Sequence, residues 1–306
     1  MEQKINILGT IDSDSYEEIN SIFAIIEELA VAGVNGICFS LHPTDEPKIE
    51  SYDMKEWLSI KHYCEALNIE FIGRPRALAA IECFEHLGIN KYRVAAEEVG
   101  NFPLLEKLAR TGKELIISAP TGLDWELERI VDFIQPYENN LVLMQWMPTC
   151  PCAPYDWGLN RIEWLRNHFG YKVGICDRSG DIFASSAAIA LGVEYVELRI
   201  NDYSEEMRKR LIEGIRKVES SLQIHPDRED YSLHLAYKSM CDRSLIINKD
   251  KKKGSRILLE DIEITDSSAG IDVSRYEDVV GKYLCNDIHK GDLINWRILQ
   301  NNTELA

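Results

Sequence analysis

The chain has 306 residues, of which 45% are hydrophobic, and it carries a formal net charge of −17 at pH 7. This length and apolar content suffice for one large domain and one small domain. Because the balance is strongly acidic, we expect neither a nucleic-acid partner nor an anionic membrane surface as a partner.

The N-terminal sequence MEQKINILGTIDSDSYEEIN lacks a basic segment followed by an apolar segment, so we expect no signal peptide. No apolar run approaches the roughly 18 residues that a membrane-spanning helix needs. The eight cysteines are scattered through the chain. We interpret them as free thiols, and we predict a cytoplasmic protein.

Short apolar segments alternate with segments of helical periodicity from residue 5 to residue 221. The predicted strands cover residues 5–9, 36–40, 69–73, 92–95, 114–118, 141–145, 172–176 and 194–200. A predicted helix follows each strand, and the last helix spans about 204–221. Strands that alternate with helices at this spacing predict parallel βαβ units. Eight of them predict a (β/α)8 TIM barrel over residues 1–221, and a doubly wound open sheet is the alternative.

The helical periodicity stops after residue 221. Residues 222–243 are polar and mixed, which indicates a linker arm. Residues 244–306 contain short apolar pieces separated by glycine turns, for example at Gly254 and Gly291. This pattern predicts a small all-β domain.

The stretch KVGICDRSG, residues 172–180, joins a buried strand to a polar turn. Polar residues at the carboxyl ends of barrel strands face the reaction site of this fold. We therefore expect Asp177 and Arg178 to lie in the mouth of the barrel.

Several cations map to the same predicted rim, although the chain as a whole is acidic. They are Arg74, Arg76, Arg93, Lys113, Arg178 and Arg199. A basic mouth on an acidic body predicts a small anionic ligand, and the planar fork of arginine suits carboxylate or phosphate. The alternative is that some of these cations form structural ion pairs with Glu97, Glu98, Asp177 or Glu197.

Four cysteines also fall at predicted strand ends or in the loop after the sixth strand. They are Cys38, Cys150, Cys152 and Cys176. A soft-metal or redox site is one interpretation. The other is that these are small core residues, because Cys-Pro-Cys is not a usual zinc spacing.

Several segments resemble the sialic acid (N-acetylneuraminate) synthase family over nearly the whole chain. Within the barrel these are EHLGINKYRVAAEEVGNFPLLEKLARTGKELIIS, LVLMQWMPTCPCAPYDWGLNRIEWLRNHFG and GICDRSG. The C-terminal segments DRSLIINKDKKKGSRILLEDIEI and VVGKYLCNDIHKGDLI resemble the family's antifreeze-like (SAF) domain. The resemblance implies condensation of phosphoenolpyruvate with an N-acyl amino sugar, assisted by a divalent metal such as manganese. It also implies a homodimer in which the SAF domain of one subunit covers the barrel mouth of the other.

The family's site residues are only partly retained. The resemblance places Lys113 and Asp177 in catalytic positions and Ser118 in a substrate-binding position. From the rim of cations we add four predicted substrate-binding residues, which are Arg74, Arg93, Arg178 and Arg199. The two histidines that bind the family's metal fall on Gln145 and Arg178. The SAF arginine that reaches a partner's sugar site falls on Asn286. A guanidinium has no lone pair to offer a metal, so we expect no metal cofactor.

Three hypotheses on function follow. The chain is a sialic acid synthase-like protein of surface-glycan sugar-acid biosynthesis, it is a non-catalytic homologue that binds an anion or a partner, or it is a metal-independent lyase or aldolase. We prefer the first. The expected ligands are phosphoenolpyruvate, a sugar acid or a phosphate.

Overall fold

The computed structural model describes residues 4–11, 19–41, 53–119, 124–222 and 232–300. The chain forms two compact units, Met1–Ile224 and His225–Ala306. The boundary falls shortly after the end of the predicted barrel. The predicted arm, residues 222–243, belongs almost wholly to the second unit. Residues 223–231 of that arm lie outside the described part of the chain.

The first unit is a closed barrel of eight parallel strands. The strands are β1 (Asn6–Ile11), β2 (Gly36–Leu41), β3 (Glu70–Pro75), β4 (Lys91–Val94), β5 (Glu114–Ala119), β6 (Leu141–Trp146), β7 (Lys172–Asp177) and β8 (Tyr195–Arg199). Strand β1 pairs with β2 on one side and with β8 on the other, so the ring closes. The barrel prediction is therefore confirmed, and the open-sheet alternative is wrong.

In the described part of this unit, eight α-helices surround the ring. They are α1 (Ile19–Ala32), α2 (Met54–Ala66), α3 (Leu78–Leu87), α4 (Phe102–Ala109), α5 (Asp124–Ile134), α6 (Asn160–Phe169), α7 (Phe183–Ala190) and α8 (Glu205–Leu222). Asp53 begins α2 with a capping box that it shares with Glu56, because its carboxylate accepts the backbone N–H of Glu56. Gly88 ends α3 in the left-handed conformation (φ 65°), which only a residue without Cβ adopts at no steric cost.

Apolar residues that point into the barrel form a separate inner core. They are Leu8, Cys38, Ile72, Ile116, Val142, Met144 and Tyr195. The strands are buried on both faces, which explains why they read as nearly continuous apolar runs. Gly174 of β7 is required here, because a Cβ at this position would clash with Met144 and Tyr195. The inner core closes the barrel below its mouth.

The second unit begins with α9 (Ser232–Cys241), a helix within the segment that the sequence analysis interpreted as an arm. Two small antiparallel sheets follow. They pair β9 (Arg243–Ile247) with β10 (Ile262–Asp266), and β11 (Tyr283–Leu284) with β12 (Leu299–Gln300). A short helix, α10 (Tyr276–Val279), lies between them in sequence. The core is small and apolar, with Leu245, Ile257 and Ile294 fully buried. This unit is a small β-rich domain, and the prediction of an all-β domain is wrong in detail because α10 lies within residues 244–306.

Across the described ranges, no helix combines the length and the apolar character needed to cross a bilayer.

Candidate functional site

A cavity of about 120 Å³ lies at the carboxyl ends of the barrel strands. It is lined by Thr10, Arg74, Arg76, Arg93, Ala95, Ala96, Glu97, Ser118, Trp146, Cys176, Arg178, Glu197 and Arg199. Five of these residues are arginines and two are glutamates. The share of liquid volume per water molecule is roughly 30 Å³, so the enclosed space suits a small ligand or one end of a larger ligand.

The floor of the cavity is a buried ion pair that crosses the barrel. Arg93 on β4 and Glu197 on β8 stand on opposite strands of the ring. The Nε and Nη2 atoms of Arg93 donate to Oε2 of Glu197 at 2.9 Å and 2.7 Å. Nη2 also donates to Ser118 Oγ at 2.9 Å, and Nη1 donates to the carbonyls of Val94 and Ile116.

Every N–H of the Arg93 guanidinium thus has an acceptor inside the protein. Arg93 was predicted to bind substrate directly, and this network leaves it no donor for a ligand. The correction has a physical cause: an arginine buried this deeply needs a counter-charge, and Glu197 supplies it.

The carboxylate of Glu197 is held in its charged form. Although burial opposes ionisation, Arg93 and a hydrogen bond from Thr10 lower the pKa of Glu197 to about 2. With its proton affinity reduced in this way, Glu197 is unsuited to act as a base near neutral pH. The floor is therefore a neutral, saturated ion pair.

The β3 side of the cavity carries two arginines that share one carboxylate. Arg74 Nη2 donates to Glu97 Oε1 at 3.0 Å, and Arg74 Nη1 donates to Ser40 Oγ at 3.3 Å. Arg76 Nη2 lies 3.6 Å from the same oxygen of Glu97. Among the described residues, the Nε atom of Arg76 is buried without a hydrogen-bond partner. Two guanidinium groups thus meet at one carboxylate oxygen of this wall.

The opposite wall is built from the ends of β7 and β8. Arg178 lines the cavity, and its Nε donates to Asp202 Oδ2 at 2.8 Å. Arg199, at the end of β8, lines the same wall, and Ser118 adds a hydroxyl from β5. Of the predicted substrate-binding residues, the structure thus brings Arg74, Ser118, Arg178 and Arg199 together at one cavity. Whether they bind a ligand stays a prediction.

Asp177 points away from the cavity, into the layer between strands and helices. Its Oδ1 accepts the Ser179 N–H at 2.8 Å and the Tyr203 hydroxyl at 3.1 Å. Its Oδ2 accepts the backbone N–H and the hydroxyl of Ser185 at the start of α7. The predicted place in the mouth is wrong for Asp177, because side chains alternate along a strand and the preceding residue, Cys176, takes the inward position. The carboxylate ties the turn after β7 to α7.

Lys113 lies at the other end of the barrel. It precedes β5, and its Nζ forms an ion pair with Glu85 Oε1 of α3 at 2.6 Å. The same ammonium lies 5.8 Å from the centre of the Tyr92 ring. Parallel strands present their carboxyl ends at the mouth, so a residue that enters a strand lies at the opposite face. The prediction that Lys113 lies with the cations of the barrel mouth is wrong.

The described residues do not fit a divalent metal at the positions that the resemblance implies. Gln145 is fully buried outside the cavity lining. Its Nε2 lies 3.4 Å from the carbonyls of Trp146 and Trp157, and its Oε1 has no partner. Arg178 offers only donors. Within the described residues, no group of three or more His, Cys, Asp or Glu side chains is arranged to hold a metal ion.

The cysteines near the mouth lack the properties of reactive thiols. Burial, followed by the nearby charge of Glu197, raises the pKa of Cys38 to about 12. The same two causes raise the pKa of Cys176 well above its usual value. Burial and Asp202 also raise the pKa of Cys150. Protonated thiols are poor nucleophiles and poor metal ligands, so these three cysteines do not favour a redox or soft-metal site.

The charges of the cavity favour an anion. Among the described residues, its lining holds five arginines and two glutamates, and Asp202 forms an ion pair with Arg178. Guanidinium groups that face one another across a small space repel, and a bound anion relieves this repulsion. The arrangement can bind and orient a carboxylate or phosphate.

Sequence reasoning missed Thr10 and Trp146 of the lining and did not assign Glu97 and Glu197 to it. One signal was available for Glu197. It lies in the middle of an apolar strand, two residues from both Tyr195 and Arg199, and a charged residue inside a barrel strand indicates a buried partner. Thr10 and Trp146 carried no signal beyond their place at the ends of strands.

Known proteins were compared with the chain as a whole. It is 25% identical over 304 residues to an uncharacterized protein of Methanocaldococcus jannaschii, covering 89% of this chain and 88% of that protein. It is 24% identical over 274 residues to the N,N'-diacetyllegionaminic acid synthase of Legionella pneumophila, covering 81% and 77%.

Among solved structures, the sialic acid synthetase of Leptospira borgpetersenii, crystallised with citrate, matches with a TM-score of 0.67 and 20% identity. The match covers 77% of this chain and 91% of that one, and it supports the fold. The NeuB family model matches residues 48–222, which is more than half of the chain. The chain belongs to the NeuB family.

Proposed function

We propose that this chain is a sialic acid synthase-like protein of sugar-acid biosynthesis that binds phosphoenolpyruvate, or a sugar acid or phosphate of similar charge, in the cavity at the barrel mouth. In the proposed reaction it condenses phosphoenolpyruvate with an amino sugar. The observation that carries the proposal is the convergence of five arginines on a cavity of about 120 Å³ at the carboxyl ends of the strands.

Arg74, Arg178 and Arg199 are the proposed ligand contacts, and Ser118 is a neutral contact beside them. Arg74 and Arg178 approach from opposite sides of the ring, since three strands lie between β3 and β7 in either direction. An anion between them would be held from two sides, which fixes orientation as well as position. Ser118 accepts from Arg93, which leaves its hydroxyl proton for the ligand.

We expect phosphate and phosphoenolpyruvate to raise the melting temperature of the protein, and we expect Arg178→Ala to bind them about tenfold more weakly, or about 1.4 kcal/mol. The loss is moderate because Asp202 already takes part of the Arg178 charge. Thermal shift followed by calorimetry measures both effects.

Arg110→Ala is the matched control. Arg110 is exposed, pairs with Glu106 of α4 and is not part of the cavity lining, so this substitution removes the same charge outside the cavity. If no anion stabilises the wild type, or if the two variants respond alike, the arginines of the mouth are structural and the proposal fails.

A non-catalytic homologue is the second candidate. One observation favours it: the two carboxylates that could act as a catalytic base already have other partners. Glu197 of the cavity pairs with Arg93, and Asp177, suggested by the resemblance, accepts hydrogen bonds from α7. Phosphate release from phosphoenolpyruvate in the presence of N-acetylmannosamine, with and without manganese, decides between the candidates. Release that depends on the sugar supports condensation. Anion binding without release supports the homologue, and cleavage of a sugar acid without metal would support a lyase.

The small β-rich domain is, by resemblance, an SAF domain, and we propose a homodimer in which this domain serves the partner's barrel. We expect twice the monomer mass of 35.1 kDa in light scattering at micromolar concentration. A monomer at that concentration would contradict the assembly. It would leave anion binding untouched, because every cavity residue named above comes from one barrel.

A further inference from the structure

Glu97 stands at the point where an anionic ligand would meet the β3 side of the cavity. It lies on a single turn of 3-10 helix, Ala96–Glu98, that follows β4. One of its oxygens, Oε1, faces both Arg74 at 3.0 Å and Arg76 at 3.6 Å. An oxygen shared by two guanidinium groups is the arrangement that arginine pairs offer to a phosphate or carboxylate ligand.

The side chain of Arg74 is 11% exposed, whereas those of Arg76 and Glu97 are 38% and 44% exposed. Arg74 is therefore fixed in the wall, and Glu97 can rotate into solvent at little cost in packing. A carboxylate on a short tether has a high effective concentration, so it competes with any free anion for the same two cations.

Charge supports the same conclusion. Glu97 offers one carboxylate to two arginines, and within the described parts of the chain the buried Nε of Arg76 has no hydrogen-bond partner while that carboxylate is in place. A ligand with more oxygens and more charge than a carboxylate can satisfy donors that Glu97 leaves unsatisfied. The resident carboxylate is thus an incomplete occupant of the subsite.

We propose that Arg74 and Arg76 form an anion subsite and that Glu97 is its built-in competitor, which occupies the subsite until a phosphate-bearing ligand displaces it. This inference rests on the proposed function, because it places part of the anion on the β3 wall. It assigns Glu97 a role in setting affinity, and it assigns Arg76 a role in binding.

The test uses the full chain with Glu97→Gln and with Glu98→Gln as the matched control. Glu98 lies on the same turn, accepts from Asn101 at 2.9 Å and is absent from the cavity lining. Calorimetry with inorganic phosphate and with acetate, at constant ionic strength, gives the affinities. Glu97→Gln should bind phosphate about tenfold more tightly than the wild type. Acetate should gain about threefold, since the removed charge repels a dianion more than a monoanion.

Glu98→Gln should match the wild type for both anions. Equal or weaker phosphate binding by Glu97→Gln overturns the proposal and makes Glu97 a residue that orients the arginines. The glutamine amide could itself stay hydrogen-bonded to Arg74 and Arg76 and still compete with phosphate. The measurement is therefore repeated with Glu97→Ala, whose side chain cannot hydrogen-bond to the arginines.

The competitor role of Glu97 and the anion site can be refuted separately. If the wild type binds phosphate and Glu97→Gln gains nothing, the competitor is refuted and the anion site stands. If neither protein binds phosphate, both are refuted. If only Glu97→Gln binds it, the competitor is supported directly.

Discussion

Glu197→Gln is expected to destabilise the barrel by about 3–5 kcal/mol, the cost of removing one partner from a buried ion pair. The amide keeps the shape of the side chain but leaves Arg93, which is 2% exposed, without a counter-charge. Urea unfolding monitored by tryptophan fluorescence measures the loss, since Trp57, Trp125, Trp146, Trp157 and Trp164 all lie in the barrel unit.

Glu106→Gln is the control for this experiment. It removes a carboxylate from an arginine pair of the same kind, but that pair is exposed on α4, so the loss should stay below about 1 kcal/mol. Similar losses in the two variants would show that burial adds nothing to the Arg93–Glu197 pair.

The pH dependence of this stabilisation has a definite sign. Arg93 and Thr10, acting against burial, lower the pKa of Glu197 from 4.5 to about 2. A carboxyl with a depressed native pKa contributes its full stability above its unfolded pKa, and that contribution is lost as the pH falls through the native value. Wild-type stability should therefore decline between about pH 4.5 and pH 2, and Glu197→Gln should lack this part of the decline.

The second large effect is expected in the small β-rich domain. Asp261 is fully buried, and Lys249 and Lys251 both form ion pairs with its carboxylate. The backbone N–H of Leu258 donates to it at 2.8 Å. Although burial opposes ionisation, the hydrogen bonds from the lysines lower the pKa of Asp261 from 3.8 to about 2. This shift corresponds to about 2 kcal/mol of stability above pH 4, which is lost as the pH falls toward 2.

Asp261→Asn should remove about 2 kcal/mol from this domain. Amides of β9 and β10 should then exchange roughly 30-fold faster with deuterium, as mass spectrometry would show. Asp287→Asn is the control, because Asp287 pairs with Lys252 at the surface of the same unit. Unchanged exchange in Asp261→Asn would contradict a supporting role for the buried carboxylate.

The barrel itself could be predicted from the sequence because its signal is local. Each strand is a short apolar run and most of the helices show their own periodicity, as β7 and α5 illustrate. The helix α9 was not predicted, because its ten residues lie within a polar, mixed segment that was interpreted as an arm. The barrel prediction needed no knowledge of side-chain partners.

Only two features of the sequence could predict the site: the position of a residue at the carboxyl end of a strand, and the alternation of inward and outward side chains along that strand. Arg74 and Arg178 fall at carboxyl ends and reach the cavity. The predictions for Lys113 and Asp177 were wrong, although the same two rules would have placed both correctly. Lys113 precedes its strand, so it lies at the opposite end of the barrel. Asp177 follows the inward-facing Cys176, so its side chain points outward. The pairing of Arg93 with Glu197 could not be read locally, because the partners are 104 residues apart.

The ion pair across the barrel also constrains how the chain is synthesised. Arg93 leaves the ribosome with β4, and its counter-charge arrives only with β8, the last strand of the ring. Until then, burying the guanidinium would leave a desolvated charge uncompensated, so a nascent chain of seven strands is held back from collapsing around a dry centre. Completion of the barrel is therefore coupled to completion of its sequence, and we expect a product truncated before β8 to be more sensitive to proteases than the full chain.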